Sequence, residues 1–63
     1  MTSPQTVRQH QARIDLHICC RIRRLCRWII RTTSDPTRRM WAQAEFDYYG
    51  ERARSDIGLI RNP

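Results

Sequence analysis

The stretch Thr32-Thr33-Ser34-Asp35-Pro36 allows this chain only two long elements. Two β-branched threonines lower helix propensity, and Pro36 pushes Asp35 out of helical dihedrals. Asp35-Pro36 then suits the start of a new helix, with aspartate as N-cap and proline at the first helical position. Ser3-Pro4 has the same form at the beginning of the chain. Between these two starts, Val7, Ile14, Ile18, Ile22, Leu25 and Ile29 fall within roughly a quarter-turn of one another on a helical wheel. Beyond Pro36, Ala42, Phe46, Tyr49, Ala53 and Ile57 recur at helical spacing, a register that survives Gly50. Gly58 reads as a left-handed cap that ends the helix, with Leu59-Ile60 folding back on the last turn. Nothing alternates with period two for long enough to suggest a strand. The expectation is an all-α fold in one domain over 1–63: a helix about 4–31, a linker about 32–35, a helix about 36–57 and a tail 58–63. So short a linker forces the two helices antiparallel, a hairpin in which Ile14, Ile18, Ile22, Leu25 and Ile29 face Ala42, Phe46, Tyr49, Ala53 and Ile57.

The charge is as unevenly placed as the apolar residues. Of a net charge of +6, residues 1–31 hold all: seven arginines against Asp15 alone, while residues 32–63 set five arginines against five acids. All twelve basic residues are arginine. Guanidinium groups favour planar, bidentate contact with phosphate and stacking on bases or rings. The long basic amphipathic first helix places Arg13, Arg23, Arg24, Arg27 and Arg31 together, opposite its apolar stripe. Trp28 sits at the arginine side of that stripe, near Arg21 and Arg24, where it can stack on a base or anchor at a membrane surface.

Other chemistry is poorly served. There is no Gly-rich phosphate loop, no Ser/His/Asp or Cys/His arrangement, and too little chain to enclose a water-excluding pocket, so no catalytic residues and no enzyme are expected. His17 and Cys20 share one side of the wheel while Cys19 and Cys26 lie on the other, and no Cys-x-x-Cys pair exists, so neither a metal site nor a cofactor is expected. Arg52 with Asp56 and Glu51 with Arg54 are spaced as surface ion pairs. The first residues are no secretory signal, and the run Trp28-Ile29-Ile30 is far short of the roughly 20 residues of a membrane span. A cytoplasmic protein is expected, with its three cysteines as free thiols.

Near the end, Asp56-Ile57-Gly58-Leu59 followed by Arg61 resembles the YjiS-like family, a domain of unknown function found in short arginine-rich bacterial proteins with a terminal Asp-Ile-Gly-Leu-x-Arg signature. The basic segment Arg21–Arg31 stands where that family has its Trp/Arg-rich helix. The family usually has leucine two residues before the aspartate, where this chain has Arg54. The resemblance implies RNA binding and a regulatory role in RNA turnover or nutrient metabolism. Together with the arginine row it makes RNA the leading partner, with an anionic membrane surface or a protein partner as alternatives.

Overall fold

The computed structural model describes residues 3–62. Two helices, α1 (Pro4–Thr32) and α2 (Pro36–Arg61), lie antiparallel against each other as a hairpin in a rod of 52 × 14 × 13 Å. Both starts follow from local chemistry. The Ser3 hydroxyl accepts from the Thr6 N–H at 3.2 Å, the Asp35 carboxylate accepts from the Thr37 N–H at 3.0 Å, and each cap is followed by proline. The turn between them closes on itself: the Thr33 N–H donates to the Ile29 carbonyl at 2.9 Å, and the Arg39 guanidinium donates to the Thr33 carbonyl at 3.0 Å.

The seam between the helices is not the apolar stripe. Its buried residues are Ala12, Cys19 and Cys26 from α1 and Ala42, Ala53 and Asp56 from α2. Leu16, Ile22, Ile29, Ile30, Phe46, Tyr49 and Ile60 flank them half-buried. Of the five α1 residues expected to face α2, Ile14, Ile18 and Leu25 stand exposed, Leu25 at 58%, and Val7 is exposed as well. Four of the five expected on α2 do turn inward; Ile57 is exposed, and Asp56 takes the buried place beside it. The seven-residue spacing of Ala12, Cys19 and Cys26 marks a line about 100° around α1 from the centre of the isoleucine stripe. Small side chains explain the choice, because a line of alanine and cysteine lets two backbones approach far more closely than a line of isoleucine and leucine.

The far end of α2 also departs from expectation. Gly58 is helical, with no positive φ, and α2 runs on to Arg61, where the Asn62 N–H donates to the Gly58 carbonyl at 2.9 Å. A helical glycine at this point needs only the hydrogen bonds of the continuing helix, and Gln9 adds a bond from α1 by donating its side-chain amide to the Ile60 carbonyl at 3.3 Å. Leu59 and Ile60 therefore continue the helix instead of folding back on its last turn; Ile57 and Leu59 are exposed and Ile60 is half-buried.

Candidate nucleic-acid interface

Helical spacing places Arg13, Arg24, Arg27 and Arg31 along one exposed flank of α1. None of the four takes part in an ion pair among the described residues, where the single ion pair joins Arg52 to Asp15. Arg23 is different. It is half-buried, its Nε donates to the Phe46 carbonyl at 3.3 Å, and its guanidinium lies 4.1 Å from the centre of the Phe46 ring. That makes Arg23 a strut between the helices, with a cation–π contact, rather than a free member of the row. Arg27 stands farther off the same ring, at 5.8 Å, and remains exposed. Arg23, Arg24, Arg27, Cys20 and Phe46 together line a shallow groove. A second groove on this flank is lined by Arg23, Arg54, Asp47, Glu51, Gly50 and Ile57. Arg54, spaced for an ion pair with Glu51, makes none among the described residues, and its place in this groove with Arg23 depends on how α2 is laid against α1.

Trp28 is 62% exposed and shares a surface depression with Arg21, Arg24 and Leu25. Around the turn a second depression brings Trp28 and Ile29 together with Trp41 and Arg38. Two indole rings and three guanidinium groups thus cluster toward the turn end of the hairpin. The exposed apolar residues continue from there along α1 through Leu25, Ile18 and Ile14 to Val7.

Toward the other end of the rod the seam holds charge. The Arg52 guanidinium grips the Asp15 carboxylate with two nitrogens, across the helices rather than pairing with Asp56 along its own helix. The Cys19 thiol donates to Asp15 Oδ2 at 3.6 Å, one helical turn away. Asp56 is 7% exposed, and its Oδ2 has no hydrogen-bond partner. The Arg52 hydrogen bond, and then one from Asp56, hold the Asp15 carboxyl below its ordinary value. Burial, and then Asp15, push Asp56 up to about 6, and burial followed by the Asp15 charge pushes the Cys19 thiol up. Burial likewise raises Cys26, while Cys20 lies exposed on the arginine flank. Donor atoms of Asp15, Cys19 and Asp56 all lie within 4.8 Å of one another, the one cluster among the described residues with the makings of a metal site.

Of the terminal motif, Asp56 alone is buried; Ile57, Gly58, Leu59 and Arg61 are exposed. Among the described residues, no helix is long and apolar enough to cross a membrane. Comparison with protein-family models, with curated proteins and with solved structures finds no match to this chain.

Proposed function

We propose that the hairpin binds single-stranded RNA through Arg13, Arg24, Arg27 and Arg31. The observation that carries this reading is the row itself: four exposed guanidinium groups on one flank, none held by an acid among the described residues. At about 1.5 Å per residue the row is about 27 Å long, and its grooves are shallow, so contact is with phosphates and base edges go unread. Sequence preference then comes from Trp28 stacking on unpaired bases, worth about 1–3 kcal/mol per base. With four phosphates neutralised, log affinity against log salt has a slope of roughly −3. Changing the four arginines to glutamine is expected to abolish gel retardation of single-stranded RNA while leaving helicity intact; unchanged retardation would overturn the reading. The resemblance of the terminal motif to the YjiS-like family supports the same assignment, and with it a regulatory role in RNA turnover or nutrient metabolism.

The exposed stripe favours a second reading, an anionic membrane surface. Were the stripe the hairpin core, lipid binding would require the hairpin to open. Because α2 packs on the neighbouring line of small residues instead, Ile14, Ile18, Leu25 and Trp28 are free to meet a bilayer with the hairpin closed. Ile18→Gln, an uncharged change on the exposed stripe and away from the arginine row, separates the two readings. It should leave RNA retardation unchanged, and it should release the protein from vesicles containing phosphatidylserine if the membrane is the partner.

A further inference from the structure

We infer that Asp15, Cys19 and Asp56 form a site for a zinc-like divalent cation across the helix seam. Asp15 and Cys19 are four residues apart on α1, the spacing that points two donors to one side of a helix, and Asp56 comes to them from α2. In a tetrahedral zinc site, bonds of about 2.3 Å to sulfur and 2.1 Å to oxygen put neighbouring S and O donors about 3.6 Å apart. Cys19 Sγ and Asp15 Oδ2 stand 3.6 Å apart, the thiol donating to the carboxylate. The third donor lies within 4.8 Å of both, a gap that modest side-chain rotation closes.

The independent sign of a ligand is Asp56. It is more than nine-tenths buried, its Oδ2 has no hydrogen-bond partner, and its carboxylate lies close to that of Asp15, so two acids share one buried corner of the seam. A buried, unpaired carboxylate oxygen is costly, and a cation removes that cost directly. The donor set also selects the ion: one thiolate with two carboxylates suits borderline zinc better than calcium or magnesium, which take oxygen alone. A cleft lined by Arg8, Gln11, Leu59 and the two aspartates opens beside the cluster and supplies an entry path and room for water at the fourth position. Binding displaces the thiol proton of Cys19 and, below about pH 6, the proton of Asp56; both go to solvent, and the ion keeps its oxidation state. Arg52 stays on Asp15 as the partner that orients the carboxylate and also as a competitor for its charge.

The test is titration of the full chain, stripped of metal by a chelator, with Co²⁺ followed by Zn²⁺ competition. The expected result is one ion per chain, with tetrahedral d–d absorption and a thiolate-to-cobalt charge-transfer band that Zn²⁺ abolishes. Cys19→Ser should remove the charge-transfer band and Asp56→Asn should weaken binding at least tenfold, whereas Cys20→Ser, Cys26→Ser and His17→Asn should change neither. Arg52→Gln guards against variants that fail to fold, because removing the competing guanidinium should tighten binding several-fold. Absence of cobalt binding, binding that survives Cys19→Ser, or affinity unchanged in both Asp56→Asn and Arg52→Gln would overturn the site.

Discussion

Two lines of residues on α1 compete to face α2, and the less hydrophobic one wins. Most of the losing line, Val7, Ile14, Ile18 and Leu25, is exposed, with Ile22 and Ile29 half-buried; the winning line, Ala12, Cys19 and Cys26, is buried against Ala42, Ala53 and Asp56. Transfer free energy alone favours burying the isoleucines, at about 25 cal/mol per Å² of apolar surface. What the small residues offer is approach: two helices that meet over alanine and cysteine gain backbone and Cβ contacts along the entire seam. The stripe left outside is then available to a partner, whereas the seam is committed to the fold.

The largest test of this contrast is to enlarge the seam. Ala42 is fully buried, so Ala42→Leu should cost about 1–3 kcal/mol or more, enough to unfold much of a chain this short at 25 °C, as read by circular dichroism melting. Leu25→Ala on the stripe should move the same melt by less than about 0.5 kcal/mol. Equal losses at the two positions would mean that the stripe carries the core after all.

A smaller effect comes from the one acid buried in the seam among the described residues. Burial raises the Asp56 carboxyl to about 6, above its usual value near 3.9, so the folded chain keeps a proton that the unfolded chain has lost. The stability this contributes is complete below about pH 4 and is lost as pH rises through about 6. Asp15 acts in the opposite sense at lower pH, since its lowered carboxyl contributes stability that is lost as pH falls through its folded value. Asp56→Asn, measured with chelator present, should therefore raise stability at pH 7.5 by about 1 kcal/mol and flatten the fall between pH 4 and 6. An unchanged pH profile would show that Asp56 does not titrate in the seam.

The two glycines of α2 sharpen the comparison further. At Gly58 an added Cβ meets nothing within 4 Å and the backbone is helical, so Gly58→Ala should gain up to about 1 kcal/mol of helix propensity. At Gly50 the same atom would stand 3.1 Å from the Arg23 guanidinium, the far end of a flexible side chain. Gly50→Ala should gain less than Gly58→Ala in the same melts, because Arg23 must shift off Phe46. A larger gain at Gly50 would show that the Arg23 strut contributes nothing.

Much of the arginine flank was legible in the sequence, because helical spacing alone sets which residues share a face: Arg13, Arg24, Arg27 and Arg31 do lie together. Arg23 follows the same spacing but is drawn to Phe46, a residue whose place opposite it depends on how the helices are laid together. The Asp15–Cys19–Asp56 cluster was not legible for the same reason. Its only sequence signal is the four-residue step from Asp15 to Cys19, and its third member arrives from the other helix.

By itself the sequence determined two helices, where each begins, and the hairpin that so short a turn imposes. These depend on interactions within a few residues: the Ser3 and Asp35 caps, the prolines after them, and the β-branched break at Thr32 and Thr33. Only the tertiary structure decided which line of α1 is buried, that Asp56 and not Ile57 enters the seam, and that α2 continues through Gly58. A helical wheel states which residues share a face, but which face is covered depends on how closely two particular surfaces can approach, a property that belongs to the pair of helices and not to either one.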